Sequence, residues 1–215
     1  MTAAIPLQNA SALSLGWVRT FVALMEVPAR AKETRRIVSW PDDAVTADVR
    51  ASLCGDGDAY ARIIRRYQGV IARRMTRFAR DGATVEELVH DVFVEAYFSL
   101  GKFRANAPLE HWLQRIATRV GYRYWKRQSR TRAMSFDDKR HDREVISEPG
   151  ATADTAEQVV AILEQLAPRD RLVLTLLYLE DHSVAKAAEL AGWSQTMVKV
   201  QAYRARKKVR KLLGQ

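Results

Sequence analysis

DHSVAKAAELAGWSQTMVKVQAYRARKKVRKLL, residues 181–213, decides the fold, because its small and branched residues fall at the spacing of a helix-turn-helix. Ala188 offers a small side chain where two helices cross. Gly192 supplies the left-handed turn, and Val198 is a branched apolar residue that locks the second helix. After Glu189 no acid follows, whereas Lys199, Arg204, Arg206, Lys207, Lys208, Arg210 and Lys211 do. A helix pair with that charge is built to lie on phosphates. A charge run alone would equally suit a helical hairpin with a solvated basic face; the small-residue spacing favours the DNA reading.

The rest of the composition agrees. The chain has 215 residues, enough for one domain or two small ones with a real core, and a net charge of +10 that favours a polyanionic partner. With one cysteine, Cys54, neither a disulfide framework nor a Cys-rich zinc site can form. His90, His111, His141 and His182 are scattered without metal-ligand spacing, so no metal and no cofactor are expected.

Leu13 to Met25 is apolar, but Arg19 interrupts it and it falls short of the ~20 residues of a membrane span. No membrane insertion is expected, and the protein reads as cytoplasmic. Residues 1–45 are an extension of unknown role, with Met25 a second candidate start. A further reading makes them a membrane- or sensor-facing arm, with Trp17, Phe21 and Val22 as its contacts.

The expected fold class is all-α: two small helical domains joined by a flexible linker, the second being the helix-turn-helix. Residues 46–133 carry helical periodicity without strand alternation. Residues 134–156 lack periodicity and include Pro149-Gly150, which marks a linker; residues 157–215 form the second domain.

In the first domain Tyr60, Ile63, Ile64, Tyr67, Val70 and Ile71 recur at three- and four-residue steps, behind a turn and cap at Gly55–Asp58. A second helix opens at Thr84, with Glu87 completing a capping box. Its apolar stripe is Val85, Leu88, Val89, Val92, Phe93, Ala96, Tyr97 and Leu100, while Glu86, Glu87, Asp91 and Glu95 make the remainder acidic. That acidity is either a solvated face or a docking face.

The third helix, Glu110 to about Gln128, buries Leu113, Ile116, Ala117, Val120 and Tyr124. It gathers Arg115, Arg119, Arg123, Lys126 and Arg130 on the opposite side, flanked by Trp112 and Tyr122. Between Glu110 and Asp137 there is no acid. Cations beside aromatic rings suit single-stranded nucleic acid, where phosphates track the charge and bases stack on the rings. No Gly-rich phosphate loop, nucleophile elbow or carboxylate pair beside a histidine is present, so an enzyme and a small-molecule substrate are not expected.

A helical domain for unpaired bases, tethered to one that reads duplex, fits promoter opening. Residues 50–213 resemble the extracytoplasmic-function (ECF) class of bacterial RNA polymerase sigma factors of the sigma-70 family. The resemblance rests on GDGDAYARIIRRYQGVIARR, on EELVHDVFVEAYFSLGKFRANAPLEHWLQRIA, and on LAPRDRLVLTLLYLEDHSVAKAAELAGWS with MVKVQAYRARKKVRKLL. The second stretch is the most specific, joining an acidic-apolar helix to F-R-x-x-A-P and W-L-x-R-I-A.

The resemblance implies partners by position. The helix Glu86–Leu100 would dock on core RNA polymerase through Glu87, Asp91 and Glu95, beside Leu88 and Phe93. Arg104, Asn106 and Leu109 would take a flipped base of the minus-ten element. Trp112, Arg115, Arg119, Tyr122, Arg123, Lys126 and Arg127 would line the melted strand. Ser194, Gln195, Thr196, Lys199, Val200, Tyr203, Arg204 and Lys207 would meet the minus-thirty-five element of promoter DNA. The linker would thread near the polymerase active centre, and an anti-sigma factor would be a further partner.

Three departures stand out. Arg119 and Arg123 replace a usual Asn and Asp, Leu109 replaces a usual aromatic, and Val200-Gln201 replaces a usual Ser-Arg pair. A valine can touch a thymine methyl, and a glutamine can pair with adenine if it faces the groove. Two rivals stay open on the residues alone: a stand-alone helix-turn-helix regulator, which leaves the acidic helix unexplained, and a sigma-like protein that binds polymerase or an anti-sigma factor without initiating.

Overall fold

A computed structural model describes residues 44–138 and 155–212, and every regular element among them is helical. In chain order these are α1 (Ala44–Leu53), α2 (Gly57–Met75), α3 (Gly82–Ser99) with a short 3-10 turn at Leu100–Lys102, and α4 (Leu109–Asp138). After a break follow α5 (Thr155–Glu164), α6 (Pro168–Leu174) with a π-helical turn through Leu179, α7 (Val184–Ala191) and α8 (Gln195–Leu212). The N-terminal extension and the middle of the linker lie outside the described residues. The chain divides into two compact units, residues 1–120 and 121–215, with the division falling inside α4. The first domain was expected to end at residue 133 and the linker to span 134–156; helix instead continues to Asp138 and resumes at Thr155.

In the first unit α1 packs on α2 and α2 on α3. Asp56 caps α2 by accepting from the Ala59 N–H at 3.0 Å. The start of α3 differs from expectation. Asp81, not Thr84, is the cap, accepting from the Thr84 N–H at 2.7 Å, so the helix begins three residues earlier. An aspartate caps at least as well as a threonine, and here it sits one turn upstream. The backbone and hydroxyl hydrogen bonds from Thr84 hold the Asp81 carboxyl below its ordinary value.

The core forms where the apolar stripes meet. Ile63, Ile64 and Ile71 of α2, Leu88, Val89, Val92, Phe93 and Ala96 of α3, and Leu113, Ile116, Ala117 and Val120 of α4 are all buried. Each large side chain there stabilises the fold by about 1.5–3 kcal/mol relative to exposure. Tyr67, Val70, Tyr97 and Tyr124, placed on the same stripes by periodicity, are only half-buried. The Tyr60 hydroxyl donates to the Phe93 carbonyl at 2.5 Å, and its ring meets Tyr97 edge-on at 5.0 Å. Burial pushes that phenol far above its ordinary pKa, so it remains a donor.

In the second unit the helix-turn-helix forms as its spacing requires. Ser183 caps α7, accepting from the Lys186 N–H at 3.2 Å. Gly192 ends it at φ 69°, in the left-handed region, and the Trp193 N–H reaches back to the Ala188 carbonyl at 2.9 Å. Ser194 caps α8 through the Met197 N–H at 3.1 Å. Ala188, Leu190, Val198, Ala202 and Ala205 close the interface behind.

Gly192→Ala forces a β-carbon into the left-handed region and should cost roughly 1–2 kcal/mol, although the added atom meets nothing within 4 Å. Gly69→Ala, inside α2 and equally unobstructed, should instead stabilise by about 0.4–1 kcal/mol. Urea titrations followed by circular dichroism would measure both, and equal effects at the two glycines would contradict the turn geometry.

Candidate nucleic-acid interface

The basic face of α4 is built from the back. Leu113, Ile116, Ala117 and Val120 hold one side of the helix in the core, which leaves Arg115, Arg119, Arg123, Lys126, Arg127 and Arg130 exposed on the other. Thr118, fully buried, is also tied from behind: the Arg74 guanidinium donates to its hydroxyl at 2.9 and 3.2 Å. Arg74 was not singled out from sequence, because its partner lies 44 residues away. Arg119 is 3.9 Å from Glu95 of α3, a partly exposed contact worth little.

The rings beside this face are less open than the sequence implied. Trp112 is half-buried, with its ring 5.4 Å from Phe103 and tilted 49° to it. Within the unit 121–215, Tyr122 is half-buried and edge-on to Trp193 at 5.9 Å, with the Lys126 ammonium 5.7 Å from its centroid. Trp125, unremarked in the sequence reading, is buried, and the Arg171 guanidinium lies 4.0 Å over its ring.

The loop before α4 carries Arg104 and Asn106 exposed, with Ala105 at φ 52° between them. Leu109 is a core residue. It is 3% exposed and anchors the start of α4, because an aliphatic side chain there completes the core below the loop.

On α3 the acids Glu86, Glu87 and Asp91 are exposed and Glu95 is half-buried. Leu88 and Phe93 do not share that surface, being core residues on the opposite stripe. The apolar member of the acidic face is Phe98, 79% exposed. Its spacing of three from Glu95 was a legible signal, since residues three and four apart share a helix face.

On α8 the residues Gln195, Thr196, Lys199, Val200, Tyr203, Arg204 and Lys207 are all exposed, as is the capping Ser194, and Tyr203 is 64% exposed. Gln201 turns away and donates to Asp170. An apolar groove of about 360 Å³ runs along the same unit, lined by Val159, Ile162, Leu163, Leu174, Leu179 and Val209 among others. Its walls come from separate helices, so periodicity within any one of them did not disclose it.

Among the described residues no cluster of three or more His, Cys, Asp or Glu is placed to hold a metal ion, and no helix is long and apolar enough to cross a membrane.

Comparisons with known proteins follow the same division. The family model for sigma-70 region 2 matches residues 63–131 and that for sigma-70 region 4 matches residues 156–209, between them more than half of the chain. The chain is 24% identical over 164 residues to the ECF RNA polymerase sigma factor SigM of Mycobacterium tuberculosis, covering 76% of this chain and 82% of that protein. It is 27% identical over 167 residues to the ECF RNA polymerase sigma-E factor of Escherichia coli K12, covering 72% and 86%. A co-crystal structure of the sigma factor RpoE with the anti-sigma factor NepR from Bartonella quintana aligns over 72% of this chain and 96% of that one, at 19% identity and a TM-score of 0.48.

If the α4 face tracks a single strand, Arg115→Ala and Lys126→Ala should each lower the slope of log affinity against log salt by about 0.7, the value for one phosphate contact on single-stranded DNA. Fluorescence anisotropy with a labelled oligonucleotide at several salt concentrations measures this. An unchanged slope in both variants would remove the face from the interface.

Proposed function

The chain belongs to the ECF class of the bacterial sigma-70 family, and from that premise we propose that it recruits core RNA polymerase to particular promoters and stabilises the opened minus-ten strand. The observation that carries the proposal is the tandem of a region 2 match and a region 4 match in one chain, each coinciding with a cationic helix held from behind by apolar residues.

In this reading Glu87, Asp91, Glu95 and Phe98 of α3 meet polymerase, an acidic stripe with one exposed ring at its end. Arg104 and Asn106 border the flipped base. Arg115, Arg119, Arg123, Lys126 and Arg127 follow the melted strand, with Trp112 and Tyr122 at its edges. Lys199, Val200, Tyr203, Arg204 and Lys207 enter the major groove of the minus-thirty-five element, with Ser194, Gln195 and Thr196 at the entry end of α8. Phosphate contacts supply affinity and base contacts supply choice.

The protein carries out no bond chemistry of its own; catalysis belongs to the polymerase. Its place of action is the cytoplasm, at the nucleoid when engaged, and class membership brings an anti-sigma partner, membrane-held or free, into the proposal.

Transcription with purified core polymerase over genomic fragments tests the reading. Transcript starts that share two upstream motifs are expected. Polymerase binding without specific starts would favour a sequestering protein, and no polymerase binding would return the chain to a stand-alone DNA binder. Asp91→Lys with Glu95→Lys should weaken binding to core polymerase by about tenfold or more, ~1.4 kcal/mol, while helicity is kept. Undiminished binding by that double variant would detach the acidic helix from polymerase.

A further inference from the structure

Asp170 is the one acid among the buried side chains of the second unit's described residues, 1% exposed in the first turn of α6. A carboxylate out of water must have partners, and both of its oxygens have one. Gln201 donates its side-chain amide to Oδ1 at 2.5 Å, and the Lys208 ammonium reaches Oδ2 at 2.6 Å. Both donors belong to α8. Seven residues apart, they lie about two helical turns from each other on one line of that helix. A single buried oxygen pair therefore grips the reading helix at two points along its length.

Two tethers spaced along one off-axis line hold a helix in both rotation and tilt, more firmly than either does alone. Val198, Ala202 and Ala205 form the back of α8. They are small or short, and a seam of alanines resists rolling poorly because it has few interlocking atoms. The Gln201–Lys208 line runs along one flank of that seam. With the flank held, Lys199, Val200, Tyr203 and Lys207 are carried to the far side.

We propose that Asp170 is the positioning residue of the reading helix: through Gln201 and Lys208 it sets the rotation of α8, so that Gln201 reads no base and Lys208 serves Asp170 rather than a phosphate. The proposal rests on α8 being a duplex-reading helix. It also assigns a role to the glutamine that replaces the family's usual arginine. A neutral donor suffices there because Lys208 supplies the charge.

The test uses the full-length chain and two probes. The first is a random-sequence duplex of fixed length, titrated at several salt concentrations. Lys199→Ala should lower the salt slope by about 0.9, as loss of one duplex phosphate contact does, whereas Lys208→Ala should leave it at the wild-type value. The second is selection from a pool of randomised duplexes followed by sequencing. Gln201→Ala, which removes one of the two tethers, should blur the wild-type motif over adjacent positions without erasing the preference at any single one. Asp170→Asn, with helicity retained, should blur that motif at adjacent positions, because a loosened helix presents its side chains at more than one rotation.

A purely structural role for Asp170 would lower binding to all sequences alike and leave the motif sharp, which would overturn the proposal. So would loss of preference at one base position alone, with the rest of the motif sharp, in Gln201→Ala, or a slope decrease in Lys208→Ala equal to that of Lys199→Ala. If the wild-type chain enriched no sequence, the proposal would fall together with the reading of α8. Absence of transcript starts with the motif intact would strike only at initiation.

Discussion

Like charges placed along one face of a helix repel, and the two helices that give this protein its character both bear that burden. Arg115, Arg119, Arg123 and Arg127 follow one another at four-residue steps on α4, a spacing at which each like pair destabilises an isolated helix by a few tenths of a kcal/mol. α8 carries Arg204, Lys207 and Lys211 at three- and four-residue steps. Neither helix would hold its shape in water on propensity alone. Each is held because its other face is buried, and a single apolar side chain buried there outweighs several repulsive pairs. The rest of the structure follows from that need: α2 and α3 exist to cover the back of α4, and α6 and α7 to cover the back of α8. Repulsion is also stored capacity. A polyanion laid along either helix relieves it, and the relief adds to the release of counterions.

Much of this was legible because helical periodicity records which face of a helix is covered. The seam of α4, the apolar stripe of α3 and the Ala188–Gly192–Val198 turn all appear where the spacing puts them. What periodicity does not record is which neighbour does the covering. The resemblance places Leu88, Phe93 and Leu109 at contacts, yet all three are buried, and the apolar stripe of α3 already assigns Leu88 and Phe93 to the core. Phe98 adjoins Tyr97 of the apolar stripe, and only its spacing of three from Glu95 sets it on the acidic face. The cap of α3 was misplaced by one turn because Asp81 and Thr84 are both good caps, and sequence alone does not rank them at that site.

Long-range polar pairs were the least legible. Arg74 reaches Thr118 across 44 residues, and Asp170 meets Gln201 across 31 and Lys208 across 38. Nothing local marks either partner, since each is an ordinary residue of its own helix. Arginine and lysine on basic helices also invite a phosphate assignment by default. The geometry separates two of them: Arg74 and Lys208 each meet a buried acceptor within the fold.

That division bears on how the protein selects its sites. Where the class usually carries an Asn and an Asp on the third helix, this chain has Arg119 and Arg123, both exposed. A short polar side chain is held close to its base and discriminates by hydrogen-bond pattern. An arginine on a long flexible stem reaches a phosphate at least as readily as a base edge, and a phosphate carries no sequence information. In the proposed function this exchange would move free energy from recognition to adhesion on the melted strand. Selectivity would then rest more on the duplex element, where α8 offers an exposed Val200 suited to a thymine methyl and an exposed Tyr203. Apolar contacts of that kind tolerate little displacement, because dispersion falls away within an ångström. A chain that relies on them must hold its reading helix rigidly, and a buried carboxylate gripping that helix at two turns does so without exposing any further charge to the DNA.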